Sequence, residues 1–193
     1  MKKFLLGAAL ATVTAFSAQA ADVASPFKFL LGAGLTYGGD TLITVPFTDG
    51  SSDSLKAGGL VHLYGGAEYR LGDAFALQAT VGYHVSDTRA AKNGSVRFTR
   101  IPVDLLALYS VNEKVRLGGG AQFVSSPELR GSGVASNVSR NYDSTTGAIV
   151  EGEYLFTPHM GLKLRYVSEK FTPEGGGSKV DGSYAGVMFS YYF

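Results

Sequence analysis

The chain has 193 residues, with 17 basic and 16 acidic side chains, 26 glycines, 11 tyrosines, 12 phenylalanines, 6 prolines and no cysteine. The near balance of charge gives no basis for a nucleic-acid partner, and the lack of cysteine excludes a disulfide framework and a thiolate metal site. Rich in glycine and aromatic residues, such a chain is expected to be made of strands and turns rather than helices.

Residues 1–20 read MKKFLLGAALATVTAFSAQA, with Lys2 and Lys3 before an apolar run from Phe4 and Ala18-Gln19-Ala20 at the end. This is the layout of a cleaved secretory signal. The run is interrupted by Thr12, Thr14, Ser17 and Gln19 and is too short to span a bilayer comfortably. Cleavage is expected between Ala20 and Ala21, leaving 193 − 20 = 173 residues with 15 basic and 16 acidic side chains, a net charge of −1. Residues 21–193 form one domain in this reading, and no apolar stretch in them is long enough for a transmembrane helix.

The mature chain then alternates polar and apolar residues with period 2 in segments of about ten, the pattern of a transmembrane β-barrel. Phe27 to Gly38 sets Phe27, Phe29, Leu31, Ala33, Leu35 and Tyr37 against Lys28 and Thr36. Leu60 to Leu71 sets Val61, Leu63, Ala67 and Tyr69 against His62, Tyr64, Glu68 and Arg70. Ala74 to Ser86 follows with Gln78, Thr80, His84 and Ser86 on its polar face, and Val96 to Val111 with Arg100, Asp104 and Ser110. Val115 to Val124 opposes Leu117, Ala121 and Phe123 to Arg116 and Gln122. Thr146 to Phe156 carries Glu151 and Glu153, and Met160 to Glu169 carries Lys163, Arg165 and Glu169, each opposite apolar residues. Ser183 to Phe193 closes the series with Ala185, Val187, Phe189, Tyr191 and Phe193 on one face.

Connections alternate in length. Gly72-Asp73, Asn112-Glu113-Lys114 and Thr157-Pro158-His159 are tight, whereas Gly39 to Gly59, Asp87 to Ser95, Ser125 to Thr145 and Thr172 to Gly182 are long. Short periplasmic turns with long outer loops are the asymmetry of outer-membrane barrels, and an even strand number puts both ends of the mature chain on the periplasmic side. Pro102 is expected at a local bulge, and glycines 118 to 120 at a bend or a close backbone approach. Within the first loop, Thr41 to Phe47 reads as further extended chain. Strands one and two are expected to project as a hairpin around Thr48 to Asp53, with edges open to strand addition.

The polar faces hold nearly equal numbers of each sign, which suits a narrow lumen where charges survive only when paired. Glu68, Arg70, Arg100, Asp104, Arg116, Glu151, Glu153, Lys163 and Arg165 are expected to form this network. Aromatic residues gather near the ends of the apolar faces, where amphipathic rings favour the lipid–water interfaces. A soluble two-sheet domain also alternates, and it is the rival that these two features weigh against.

With these strands in place, the chain resembles the small outer-membrane β-barrel domain shared by OmpA-type and opacity-type surface proteins. The likeness spans the mature chain. Its most specific residues are Val187, Phe189, Tyr191 and the terminal Phe193, which look like the carboxy-terminal signal read by the barrel-assembly machinery. The resemblance implies an all-β fold, an eight-stranded antiparallel up-and-down transmembrane barrel in the outer membrane. A monomer without cofactor is expected, its long loops serving structure or surface interaction.

Two other functions stay open. An eight-stranded barrel has an interior just wide enough for side chains to fill, so a narrow solute channel requires those side chains to rearrange. His84-Val85-Ser86 is similar to the His-x-Ser pair of outer-membrane lipid A deacylases, where histidine activates serine. Here parity turns both residues inward and no carboxylate follows at that family's spacing. His62 and His159 are isolated in sequence and support no metal site. In the outer loops, Arg89, Lys92 and Arg97 are expected to contact lipopolysaccharide phosphates through charge-assisted hydrogen bonds.

Phe193 ends the apolar face of the closing strand and is expected to act in assembly rather than export. Deleting it should strongly reduce outer-membrane insertion, read by heat-modifiable gel migration, while signal cleavage continues. Normal membrane levels of the truncated protein would refute this role.

Overall fold

The structure is a computed structural model that describes residues 25–46, 52–90, 94–133 and 135–193. The secretory-signal reading of residues 1–20 lies outside them. Thirteen strands follow in chain order: β1 (Phe27–Gly38), β2 (Thr41–Pro46), β3 (Ser52–Lys56), β4 (Leu60–Arg70), β5 (Phe75–Ala90), β6 (Gly94–Ser110), β7 (Val115–Gly133), β8 (Arg140–Asn141), β9 (Thr145–Thr157), β10 (Met160–Ser168), β11 (Lys170–Phe171), β12 (Val180–Asp181) and β13 (Tyr184–Tyr192). Eight of these, β1, β4, β5, β6, β7, β9, β10 and β13, pair antiparallel with their neighbours in the chain. First and last strands pair from Leu30↔Tyr192 to Gly38↔Tyr184, so the sheet has no free edge in its membrane belt.

The apolar faces point outward. Phe29, Leu35, Tyr37 and Leu164 are 61%, 64%, 71% and 64% exposed, a surface that only lipid covers favourably. Aromatic residues border this belt, with Tyr37, Tyr83, Phe123 and Tyr166 at the outer end and Tyr69, Phe75, Tyr109, Tyr154, Phe156 and Phe193 at the inner end.

Parts of two of the expected long loops are instead strand. β5 runs on to Ala90, β6 begins at Gly94, and β7 continues to Gly133. These three strands rise above the lipid belt as a continuation of the barrel sheet. Their alternation changes sense on the way: along β6, Arg100 and Asp104 point inward below while Val96 and Phe98, 0% and 1% exposed, point inward above. The expected bulge is also displaced. Pro102 pairs in register with Val124, and the shift falls between Thr99 and Ile101, where β7 carries the extra residue. There Ser126 takes a left-handed φ of 47° before Pro127. Pro102 lacks the N–H that a ladder needs, and β5–β6 pairing is interrupted opposite it, between Val81↔Val103 and His84↔Arg100.

The first loop does not project as a continuation of β1 and β4. β2 and β3 form a separate two-stranded sheet, and the base of this hairpin turns inward. Leu55 and Ala57 are buried with Val96, Phe98, Val124, Leu129, Ala135, Tyr142 and Phe171. This apolar cluster fills the outer mouth, because side chains above the lipid belt can leave water only by packing inward. The expected tip, Thr48 to Asp53, lies largely outside the described residues.

Glycines answer to the tight curvature. A Cβ on Gly66 would lie 2.0 Å from the Ala79 carbonyl oxygen, and one on Gly120 would lie 1.9 Å from that of Leu105. Within the run at 118 to 120 the close backbone approach is at Gly120, whereas Gly118 faces the Leu108 and Glu151 side chains and Gly119 has room. Gly120→Val should cost about 1–3 kcal/mol or more through forced backbone shifts. Gly119→Ala, whose nearest neighbour would be 3.7 Å away, should be close to neutral. Urea midpoints of the two variants in detergent micelles check this, and equal midpoints would remove the steric account.

Candidate functional site

The lumen is a ladder of paired charges crossed by hydrogen bonds. At its inner end Arg116 Nη1 donates to Glu68 at 2.8 Å and Nε donates to Glu153 at 2.9 Å. Tyr192 joins them, accepting from Arg116 at 2.7 Å and donating to Glu153 at 2.7 Å. Arg116 also lies over the Tyr192 ring, 5.1 Å from its centroid. The planar guanidinium suits this position because its fixed fork serves several acceptors at once.

In the middle, Lys163 donates to Glu151 at 2.8 Å and to Gln78 at 2.8 Å. Arg165 donates to the other Glu151 oxygen at 2.9 Å and also pairs with Asp104. Gln78 donates to Glu68 at 3.0 Å, so one amide ties the middle layer to the inner one. Gln122 donates to Asp104 at 2.8 Å and meets the Tyr184 hydroxyl at 3.1 Å. Every carboxylate of these two layers is held by at least one cation, as a charge removed from water requires.

The outer layer centres on Arg100, 1% exposed. It donates to Glu169 at 2.9 Å, to the Ala57 carbonyl at 2.8 Å and to His84 Nδ1 at 3.0 Å. An arginine can only donate, so His84 Nδ1 accepts and its Nε2–H faces Thr36 Oγ1, 2.7 Å away. Both ring nitrogens of His84 are thus engaged away from Ser86. His62, isolated in sequence, stacks on His84 with centroids 4.9 Å apart.

Eight of the nine residues expected in the lumen network are buried there: Glu68, Arg100, Asp104, Arg116, Glu151, Glu153, Lys163 and Arg165. Arg70 is not. It is exposed at the inner rim, where a vestibule of about 640 Å³ is lined by Lys28, Arg70, Asp73, Glu113 and Lys114 and floored by Glu68, Arg116 and Tyr192. The inward parity of Arg70 is correct, but it lies at the end of β4, where the long side chain reaches water. Glu68 and Arg100 belong to different layers. Charge counting also missed Gln78, Gln122, Tyr64, Tyr184 and Tyr192, although period 2 already placed them on the inward face.

On the outer wall of the raised sheet Asp87, Arg97 and Arg130 stand opposite one another in register across β5, β6 and β7. Arg97 donates to Asp87 through Nε at 3.0 Å and Nη2 at 2.6 Å, and Arg130 pairs with Glu128 on its own strand. The Arg97 and Arg130 side chains are 55% and 73% exposed. The Arg89 side chain and Lys92 lie outside the described residues. At the closing strand, Val187, Phe189, Tyr191 and Phe193 share the outward face.

Residues 8–193 match the family model described as outer membrane protein beta-barrel domain. No curated protein matches the chain in sequence. Among solved structures it is similar to Ail, the attachment invasion locus protein of Yersinia pestis, in complex with the heparin analogue sucrose octasulfate. The TM-score is 0.56 at 11% identity, covering 86% of this chain and 97% of that one. It is also similar to Neisserial surface protein A, with a TM-score of 0.54 at 13% identity, covering 88% and 98%.

Removing one partner of a buried pair strands the other charge, at a cost of about 3–5 kcal/mol. Arg165→Gln should therefore lower the urea midpoint of the barrel in lipid vesicles substantially, because it leaves Asp104 with no cation in contact. Arg70→Gln should leave the midpoint unchanged. Equal effects from the two would mean that the lumen is hydrated and its pairs count for little.

Proposed function

The chain belongs to the outer membrane protein beta-barrel domain family, and from that premise we propose that it is a non-enzymatic surface-interaction protein, adhesin-like in its use of extracellular segments. The barrel anchors these segments in the outer membrane, and the raised β5–β6–β7 sheet presents them. The observation that carries this reading is the filling of the barrel above its inner vestibule. Paired charges occupy the lumen, and an apolar cluster seals its outer mouth. A solute crossing it would have to displace both, which weighs against the channel alternative. His84 is committed to Thr36 and Arg100, which weighs against a hydrolase.

Arg97 and Arg130 name the contact chemistry. Two guanidiniums directly opposite across a strand pair repel each other, and each is steadied by its own carboxylate, Asp87 or Glu128. An anionic group set between them relieves that repulsion and accepts bidentate hydrogen bonds. Arg97 lies four positions before Ile101, which is 51% exposed on the lipid-facing wall, and this spacing supports a place for the pair at the height of lipid headgroups. With Arg89 and Lys92 nearby in sequence, lipopolysaccharide phosphate is the fitting partner. During biogenesis the outward Val187, Phe189, Tyr191 and Phe193 would be read by the barrel-assembly machinery.

The double variant Arg97→Gln/Arg130→Gln in nanodiscs should bind purified lipopolysaccharide roughly tenfold less tightly, about 1.4 kcal/mol. Its salt dependence should be shallower, since fewer exposed charges remain to be screened. Equal affinity and equal salt slope for variant and parent would leave these arginines as solvated charges. Planar-bilayer recording of the parent is expected to show no steady conductance, and a steady open level would favour the channel.

A further inference from the structure

Glu169 follows the last residue of β10 and sits at the outer end of the lumen, outside the membrane-spanning strands. Its carboxyl is divided in its contacts: Oε1 accepts from Arg100, whereas Oε2 is buried with no hydrogen-bond partner. The charged groups around it come from every adjoining element. β6 supplies Arg100 and Asp104, β5 supplies His84 with His62 of β4 stacked behind it, and β13 supplies Tyr184. Asp181 of β12 approaches from the loop side and is joined to Asp40 through its backbone. Tyr142 lies above, among the apolar residues of the mouth.

Hydrogen bonding singles out one carboxyl in the lumen. Among the described residues the buried carboxylates are Glu68, Asp104, Glu151, Glu153 and Glu169, and of these Glu169 alone has a buried oxygen without a partner. A proton on that oxygen removes the cost of burying an unsolvated charge there. We propose that Glu169 is a titratable catch: protonated on Oε2, it lets Arg100 hold the base of the β2–β3 hairpin over the barrel mouth, and ionised, it draws in water and loosens that hold. Arg100 is the mechanical link, since it donates to the Ala57 carbonyl at 2.8 Å and lies 5.7 and 5.4 Å from the ring centroids of Phe98 and Phe171.

Burial pushes the Glu169 carboxyl up from its ordinary 4.5 to about 7, with Arg100 opposing and Asp104 and Asp181 adding to the rise. The raised value belongs to the closed mouth, and a hydrated Glu169 titrates near the ordinary value. Closure is therefore favoured most below about pH 4.5. The closed-to-open ratio falls roughly tenfold per pH unit up to about 7 and is level above that.

The chain has no cysteine, so nitroxide labels at Thr44→Cys on β2 and Ser168→Cys on β10 report the hairpin position without interference. Pulsed dipolar spectra of the labelled protein in phospholipid nanodiscs should give one distance at pH 5 and a growing second distance at pH 8. Glu169→Gln should keep the single distance at both values, and His84→Asn should retain the pH response. Asp181→Asn, a change at the exposed loop, should move the midpoint to lower pH because it removes a like charge. An unchanged distance across the range in the parent, or a full response in Glu169→Gln, overturns the proposal. If Glu169→Gln does not assemble, the Asp181→Asn midpoint decides, and no movement of it overturns the proposal equally.

Discussion

Everything in this molecule depends on the absence of water in the bilayer. A backbone N–H or C=O left unpaired there costs several kcal/mol, so a sheet that crosses lipid must close on itself. The pairing of β1 with β13 provides that closure, and it dictates the neighbouring features. An eight-stranded cylinder turns sharply between strands, which leaves no room for a Cβ at Gly66 or Gly120. The closed wall also forces every second side chain into a space only a few side chains wide.

The narrow interior decides how charge is handled. Arg116, Lys163 and Arg165 are each placed where two or more acceptors converge, and neutral Gln78 and Gln122 take up the remaining lone pairs and link one layer to the next. A filled lumen of this kind holds the cylinder in one shape, with further segments standing above the membrane. Those segments obey the opposite rule. Above the lipid belt the outward face meets water, so apolar side chains pack inward and charged ones such as Arg97 and Arg130 point out.

Arg100 stands where the two regimes meet. Below it are the charge pairs of the lumen, and above it are the aromatic residues of the mouth. It holds a backbone carbonyl of the first loop on one side and Glu169 on the other. In the proposed catch, this one buried guanidinium couples the position of the hairpin to the protonation of a carboxyl.

Much of this was legible in the sequence because strand parity is a local property. Alternation within each segment assigned Phe29, Leu35 and Tyr37 to lipid and Glu68, Asp104 and Lys163 to the lumen. Parity states a side but not a depth. Glu68 meets Arg116 across 48 residues of chain, and Lys163 meets Gln78 across 85. Only the register and tilt of the closed sheet set which charges share a layer, and they are why Arg70 reaches water while Arg100 does not. The inward turn of the first loop was hidden for the same reason. Leu55 and Ala57 are unremarkable in sequence, and their burial follows from Val96, Phe98, Leu129 and Phe171, which the fold gathers above them. Local periodicity determined the strands and their two faces, whereas the layers of charge and the sealed mouth arose only when distant strands were brought together around one axis.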